Sequence, residues 1–336
     1  MMTSILSLVV AGNIMLPTKA HAAPGACNCV IFRLDDIQDE WITHVQTAII
    51  DKFIERNENL DLPIIMNSIG NDPVIVNKVK EGIATGLIET SLHGWNHIDY
   101  RTLSLQQQQK TLEMANQKME ELFGSKTSIF VAPYNAYNED TLKAINQAGL
   151  KILSSEFDQE IESIYDPDNP DSPDNKVYKA IAGGSDTIIK DQFGVYHLPQ
   201  VIGFYTYDSD PPTKTPLSKI ESQIDSAIAS YGYAVVTLHP QDFTVKDAGN
   251  NPTEELSQDE MKDLDTLLTW INDQNYHTGT FSGAVSNNNS QTSSAPATGS
   301  DDDNNDNNND DAATVDLVAP LINTIISSLR PSLGGA

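Results

Sequence analysis

Short apolar runs alternate with amphipathic stretches along residues 30–280 of this 336-residue chain. Each run is β-branched or aromatic and is bounded by turn residues, as buried strands are. The runs lie at residues 30–32, 64–66, 87–92, 129–131, 151–153 and 234–238.

The amphipathic stretches carry apolar side chains at helical spacing, and we interpret these stripes as core-facing. Strands that alternate with helices predict a parallel sheet or barrel, in which chemistry lies at the carboxyl ends of the strands. Ser257, with Glu260 three residues later, predicts a capping box at the start of the third stripe. The stripes are Trp41, Val45, Ile49 and Phe53; Leu105, Leu112, Ala115, Met119 and Leu122; and Met261, Leu264, Leu268 and Ile271.

Three segments break this rhythm. Residues 154–217 are rich in Asp, Pro and Ser, which predicts a long excursion that shapes one side of a cleft. Residues 286–312 are almost wholly small and polar, which predicts a disordered linker. Residues 313–336 form a short tail with apolar spacing, too short to span a bilayer. A docking helix, an interfacial segment and a sorting-signal remnant all remain open for it, and we expect it to tether the protein to a surface or partner.

The N-terminus has the pattern of a secretory signal. An apolar stretch at 5–16 is followed by Ala20-His21-Ala22, an A-x-A cleavage pattern. We therefore predict a signal peptide over residues 1–22 and a secreted or cell-surface protein. No Lys or Arg precedes the apolar stretch, so a retained anchor stays open, although the stretch is shorter than the roughly 20 residues of a comfortable span.

The chain has only two cysteines, Cys27 and Cys29. A bridge across one residue is expected to be strained, because the Cα separation in a disulfide must fit a narrow range. Free thiols, an intermolecular bridge and an attachment point remain open. We interpret the pair as two small residues that lead into the first strand.

The formal net charge of −27 argues against a nucleic acid partner, because such binding relies on basic patches that displace counterions. Part of the acidic excess lies at residues 301–316, so the folded part of the chain is less acidic than the total.

Two adjacent acids, Asp35 and Asp36, follow the first apolar run. Burying them costs desolvation free energy unless a metal or cation compensates. Successive side chains leave a strand on opposite faces, so both acids can serve one site only if the strand ends there. One acid can then bind a metal while the other takes a proton. The alternative is an acidic loop start with a helix N-cap.

Histidines follow two further strand ends. His93 and His97 lie on one face if their segment turns helical, so that both imidazoles reach one metal, and neutral imidazole suits zinc. The alternative is two unrelated surface histidines. His239 ends a very apolar run and is either a structural histidine or a general acid, since the ordinary histidine pKa lies near operating pH.

In this order the motifs resemble those of the polysaccharide deacetylase family: T-F-D-D, H-[ST]-x-x-H, R-x-P-x-G and a final L-x-H. The resemblance covers about residues 28–285, and we assign residues 23–285 to a catalytic domain. It implies an α/β fold, a distorted (β/α) barrel with about seven parallel strands. It also implies metal-dependent removal of acetyl groups from an N- or O-acetylated glycan.

The resemblance assigns roles to five residues. Asp35 matches the general base and His239 the general acid. Asp36, His93 and His97 match the ligands of one divalent metal, for which zinc is the expected ion.

The resemblance also implies four substrate-binding positions: Pro133 matches the third motif's Pro, the Tyr134 backbone N–H is expected to help hold the oxyanion, Asn135 follows it, and Leu238 is expected beside the acetyl pocket.

The chain departs from the family pattern at four positions, where Ile37 replaces a Gly, Val131 an Arg, Asn135 a Gly and Thr237 a Leu. The resemblance implies that the missing arginine would orient the base. We predict that Arg33, which leaves the first strand on the same face as Asp35, takes its place through a two-bond pairing. The alternative is an ion pair of Arg33 with Asp39 or Glu40.

Two other functions remain open. One is a catalytically silent glycan-binding or surface protein that keeps the metal triad, and the other is an unrelated metalloamidase. Release of acetate would indicate a deacetylase, and release of a new peptide amine an amidase.

Overall fold

The computed structural model describes residues 27–156, 188–191, 193–199, 201–207 and 211–292. The predicted signal peptide, residues 293–312 of the predicted linker and the apolar tail lie outside the described residues. Across the described ranges, no helix combines the length and the apolar character needed to cross a bilayer.

Strands and helices alternate along the described residues. The strands are β1 (Cys29–Leu34), β2 (Leu60–Ile64), β3 (Ile88–Leu92), β4 (Ile129–Val131), β5 (Ile152–Ser154), β6 (Ile189–Lys190), β7 (Tyr196–His197), β8 (Ile202–Gly203), β9 (Tyr205–Thr206), β10 (Thr213–Lys214), β11 (Tyr233–Leu238), β12 (Thr244–Lys246), β13 (Pro252–Leu256) and β14 (His277–Gly279). The α-helices are α1 (Thr43–Arg56), α2 (Pro73–Thr85), α3 (Leu105–Phe123), α4 (Glu139–Gln147), α5 (Leu217–Tyr231), α6 (Gln258–Asp273) and α7 (Phe281–Thr292).

One ten-stranded sheet forms the centre, in the order β6-β7-β5-β4-β3-β2-β1-β11-β8, with β14 beside β1. The β6–β7 pair is antiparallel and the other pairings are parallel. Within the described ranges the path does not close between β6 and β8, so the barrel is open. This confirms the predicted α/β fold with a distorted barrel. The sheet has more than about seven strands because β6, β7 and β8, of two residues each, are too short to show an apolar pattern, and β14 is polar in sequence.

The alternation of side chains along β1 separates two cores. Val30, Phe32 and Leu34 pack in the main core between the sheet and the surrounding helices. Cys29 and Ile31 point to the inner face of the sheet and pack in a second core. The second core closes the amino-terminal end of the barrel and leaves the carboxyl end for polar side chains.

Helix α7 extends into the segment for which we predicted a disordered linker. Helix α7 runs to Thr292, so the first residues of the segment 286–312 are helical. Its first turns are fixed because Phe281, Ala284 and Val285 are buried in the second core. Once these turns are docked, each further residue adds a helical hydrogen bond at low cost, which a composition-based prediction does not include.

The two cysteines also differ from their prediction, because Cys27 and Cys29 form a disulfide. Their Cα atoms lie 5.1 Å apart, inside the usual range for a bridge. Asn28 between them adopts a left-handed φ of 53°, a conformation that asparagine tolerates well.

Strand β2 lies a few residues earlier than the apolar run at 64–66 indicates. The polar Asp61 interrupts its apolar pattern because this side chain faces the inside of the barrel rather than the helices. The segment 154–217 is likewise no simple excursion: three of its described strands, β6, β7 and β8, join the main sheet.

Candidate metal centre and proton-donor site

The two adjacent acids lie where strand β1 ends. Asp35 is buried, and its N–H donates to the carbonyl of Leu238 at 2.9 Å. Asp36 has a left-handed φ of 67°, which breaks the strand geometry at this point. The turn therefore frees the two acids from opposite faces of the sheet, and Asp36 reaches the histidines that follow β3.

Asp36, His93 and His97 form one cluster. Their potential ligand atoms all lie within 4.8 Å of one another. The Oδ1 atom of Asp36 is 3.3 Å from Nε2 of His93 and 3.2 Å from Nε2 of His97.

The two histidines meet without the expected helix. The chain bends at Gly94, which has a left-handed φ of 80°, and a Cβ there would lie 2.8 Å from the carbonyl oxygen of Asn96. Glycine is therefore required at this turn, which returns His97 to the face that His93 occupies.

The cluster fits a divalent metal ion. Oδ1 of Asp36 is buried and has no hydrogen-bond partner, which is costly for a carboxylate unless a cation satisfies it. Nδ1 of His93 lies 2.9 Å from the carbonyl oxygen of Val131, so the proton of the neutral ring is held there. Nε2 is then left with a free lone pair that can bind a metal. A hydrogen bond from the other ring nitrogen to a carbonyl is the usual support of a metal-binding histidine.

The electrostatics of the cluster agree with this fit. Burial raises the pKa of Asp36, but its close contact with His93 and the charges of His93, His239 and His97 outweigh this effect and lower the pKa to about 2. Burial lowers the pKa of His97. The acid is thus ionised and His97 is favoured as neutral imidazole, the protonation states that metal ligation requires.

His239 follows β11 and faces the acids from the other side of β1. Burial lowers its pKa, but Asp242, Asp35 and Asp36 together outweigh this and raise the pKa above its ordinary value. Nδ1 of His239 is 3.6 Å from Oδ2 of Asp242, which is itself buried. His239 therefore keeps a proton to higher pH than a free histidine.

Two residues beside His239, Asp242 and Tyr207, have no predicted role from the sequence motifs. Asp242, three residues later, accepts from the His239 backbone N–H at 3.3 Å. Tyr207 follows strand β9 directly, and its ring centroid lies 5.1 Å from that of His239. The H-x-x-D spacing could have indicated Asp242, whereas Tyr207 comes from a distant segment with no local signal.

The third motif forms a turn beside the metal cluster. Tyr134 and Asn135 both adopt left-handed φ angles, of 59° and 53°. Tyr134 is 67 % exposed, and its ring centroid lies 4.4 Å from that of His97. Pro133 is buried beneath the turn. The ring of Tyr134 is thereby brought against His97 of the cluster.

Leu238 does not lie where we expected. It is fully buried in the main core between the sheet and the helices. Its neighbour Thr237 points the opposite way, into the barrel, where its hydroxyl contacts Arg33. Because strand side chains alternate, Leu238 cannot share that face, and only its carbonyl reaches the site through Asp35.

Arg33 lies inside the barrel, with Asp35 as its ion-pair partner among the described residues rather than Asp39 or Glu40. The contact is a single one, from Nε to Oδ1 at 3.3 Å, and not the two-bond pairing predicted. The guanidinium also donates to the Thr237 hydroxyl at 2.9 Å, the Ser154 hydroxyl at 3.0 Å and the Ser154 carbonyl at 3.1 Å, and to the Asn135 amide oxygen at 3.5 Å.

Residues 28–153 match the model of the polysaccharide deacetylase family. The match confirms, over this part of the chain, the resemblance that the motifs indicated. It includes both acids, both histidines of the cluster and the Tyr134 turn, whereas His239, Asp242 and Tyr207 lie beyond it.

Several solved structures show a distant likeness. The Xyl-CE4 domain of a multidomain xylanase from the hindgut metagenome of Trinervitermes trinervoides is 13 % identical, with 77 % of this chain and 90 % of that chain covered and a TM-score of 0.46. A family 4 acetyl xylan esterase from Clostridium thermocellum, in complex with a cobalt ion, is 12 % identical over 77 % and 90 %, with a TM-score of 0.46.

A CE4 family pseudoenzyme from Bacillus anthracis is 12 % identical, with 76 % of this chain and 64 % of that chain covered and a TM-score of 0.46. No curated protein sequence matches this chain. Because these identities and TM-scores are low, the similarity to the polysaccharide deacetylase family rests on the family-model match over residues 28–153.

Proposed function

We propose that this protein is a metal-dependent hydrolase that removes acetyl groups from an N- or O-acetylated glycan. The observation that carries the proposal is the convergence of Asp36, His93 and His97, within 4.8 Å, beside the buried Asp35. The family match over residues 28–153 supports the reaction class.

Asp36, His93 and His97 would hold a divalent metal, with zinc the expected ion, and the bound ion would supply Lewis-acid polarisation of the acetyl carbonyl and make water more acidic. Asp35 takes a proton from the attacking water, whose oxygen bonds to the acetyl carbon. The backbone N–H of Tyr134 donates to the oxygen that becomes negative.

His239 completes the reaction as the general acid. As the bond between the acetyl carbon and the glycan nitrogen or oxygen breaks, His239 gives its proton to that leaving atom. The products are acetate and a free amine or hydroxyl. The pKa of His239 is raised by its neighbouring carboxylates against the effect of burial, which supports this role because the ring keeps its proton to higher pH than an ordinary histidine.

We propose that Arg33 holds Asp35 in place. Two of the departures from the family pattern, Thr237 and Asn135, are hydrogen-bonded to Arg33. Val131 leaves the third-motif position without a cation, and Arg33 supplies one from β1 instead. The departures are thus a linked set built around a relocated arginine, and this supports catalysis over a silent protein that only retained the triad.

We propose a secreted or cell-surface location, as the sequence pattern at residues 1–22 indicates. The Cys27–Cys29 disulfide supports it, because such bonds persist mainly in oxidising compartments. Mass spectrometry of the protein recovered from its native cells should show a mature N-terminus near Ala22. A chain that retains residues 1–22 would contradict cleavage.

The experiment for the function is a substrate panel. The full chain is incubated with acetylated glycans, including N-acetylated and O-acetylated ones, and with acetylated peptides. We expect acetate release from at least one glycan and no new peptide amine. Release of peptide amines alone would indicate an amidase. A protein that binds one metal ion per chain but releases acetate from no glycan would be a silent binding protein.

A further inference from the structure

One buried carboxylate joins a tyrosine to the proposed general acid. The Tyr207 hydroxyl donates to Oδ1 of Asp242 at 2.5 Å. The other oxygen, Oδ2, accepts from the backbone N–H of His239 at 3.3 Å and lies 3.6 Å from its Nδ1. Asp242 is 3 % exposed, so water contributes little to satisfying it.

The direction of these hydrogen bonds is fixed. The side-chain amide of Gln241 donates to the Tyr207 phenol oxygen at 3.2 Å. The phenol hydrogen is therefore directed at Asp242. Tyr207 is 45 % exposed, yet its hydroxyl points inward to a buried acid instead of outward to solvent. Such directed chains polarise each member and hold its geometry.

We propose that Tyr207 is a positioning residue for the general acid: its hydroxyl holds the Asp242 carboxylate at the rotation that aligns the imidazole of His239. The proposal rests on the proposed role of His239 as the acid. The separation of 3.6 Å from Nδ1 to Oδ2 exceeds a hydrogen bond, so a small rotation of the carboxylate decides how strongly it acts on the ring.

The hydroxyl also limits the charge that Asp242 presents to His239. A carboxylate that loses a donor concentrates its negative charge on its remaining partner and stabilises the protonated ring more strongly. Removing the hydroxyl should therefore raise the pKa of His239 and make it a poorer acid. Among the described residues, the charged and titratable groups that face His239 or its Asp242 partner are Asp35, Asp36, His97, Tyr205, Tyr207, Asp242 and Lys246.

The test compares Tyr207→Phe with Tyr205→Phe in the full chain. Tyr205 is a matched control because it lies only two residues earlier, in strand β9, and its hydroxyl also donates to a carboxylate, that of Glu260 at 2.9 Å. Two quantities are measured in each variant: the His239 titration by nitrogen NMR of the imidazole, and the pH dependence of kcat and KM for acetate release.

We expect Tyr207→Phe to move the His239 titration and the basic limb of kcat to higher pH, by about half to one pH unit. At neutral pH kcat should fall about three- to tenfold with KM nearly unchanged, since a displaced acid slows proton transfer and not binding. Tyr205→Phe should match the wild type in both measurements.

A His239 titration in Tyr207→Phe that stays at the wild-type pH, or moves to lower pH, overturns the proposal. A rise in KM with kcat unchanged also overturns it, because Tyr207 would then act on substrate binding. If the wild type releases no acetate, the proposed function fails, and the NMR comparison alone still decides the role of Tyr207.

Discussion

The site has two halves that use histidine in opposite ways: a metal half formed by Asp36, His93 and His97, and a proton-donor half formed by His239, Asp242 and Tyr207. In the metal half, Nδ1 of His93 contacts a backbone carbonyl, that of Val131, at 2.9 Å. In the proton-donor half, Nδ1 of His239 faces the carboxylate of Asp242 at 3.6 Å. A neutral acceptor fixes a tautomer without favouring the charged ring, whereas a carboxylate favours the imidazolium. The partner of Nδ1 therefore suits His93 to binding a metal and His239 to carrying a proton.

The largest effect is expected from His93→Ala, which removes a proposed ligand from the metal half. The variant should lose tight metal retention, and acetate release should fall on the order of a thousandfold, because several kcal/mol of transition-state stabilisation are lost. Metal content after dialysis and the rate of acetate release are the measurements. His44→Ala removes an exposed histidine on α1 and serves as control. Full metal occupancy in His93→Ala would show that the ligand set is wrong.

The matching change in the donor half is Asp242→Asn. Because the carboxylate raises the pKa of His239 against the effect of burial, the variant should move the basic limb of the rate profile to lower pH. The rate above neutral pH should fall on the order of 10- to 100-fold while metal content stays at one per chain. Asp259→Asn, at an exposed position in the first turn of α6, is the control. Loss of the metal together with the rate would show that the two halves are not separate.

Arg33 pairs with Asp35, the proposed base, and its substitution tests how that base is held. Arg33→Ala should lower the rate about tenfold or more, because Asp35 loses its ion-pair partner at 3.3 Å. Arg33→Lys should rescue only part, since lysine keeps the charge but lacks the planar guanidinium. Arg56, which pairs with Asp265 on the surface, gives matched control substitutions. An unchanged rate and acid limb in Arg33→Ala would mean that Asp35 is held by something else.

The smallest expected effect concerns stability. Burial raises the pKa of Glu89 from 4.5 to about 7, against weaker lowering by the backbone N–H groups of Phe281 and Ser282. The folded state thus holds this proton more tightly than the unfolded chain. The resulting stability is fully present below pH 4.5 and is lost as pH rises through about 7. The loss amounts to a few kcal/mol at most.

Glu89→Gln keeps a neutral side chain and should remove much of this pH dependence. Urea unfolding at pH 5 and pH 8 measures the free energy of unfolding of both proteins, with the exposed Glu55→Gln as control. If the free energy of unfolding of Glu89→Gln depends on pH as steeply as that of the wild type, the pH dependence arises from other groups.

The metal half could be predicted from the sequence because its information is local. Asp35-Asp36 and His93–His97 are each close in sequence and each follow an apolar run. The predicted route was nonetheless wrong in one respect, since the turn at Gly94 rather than a helix brings His97 back. Spacing showed that two imidazoles can meet, but not how the backbone achieves it.

The donor half was only partly predictable because its contacts are long-range. Tyr207 reaches Asp242 from 35 residues earlier in the chain, within a segment whose polar composition indicated an excursion. Leu238 was misplaced for a related reason: motif alignment gives a position along a strand, whereas the face is set by the register of the whole sheet. The relocated Arg33 could be inferred because Asp35 lies two residues later on the same face.

The most direct test of the central claim, metal-dependent deacetylation at this site, combines acetate release with chelation. The full chain is assayed on the acetylated glycan it uses best, then stripped of metal with a chelator and reloaded with one equivalent of zinc. The account predicts that acetate release is lost on stripping and restored at one metal ion per wild-type chain, with no restoration in His93→Ala. Acetate release that persists at full rate in the stripped protein would contradict it.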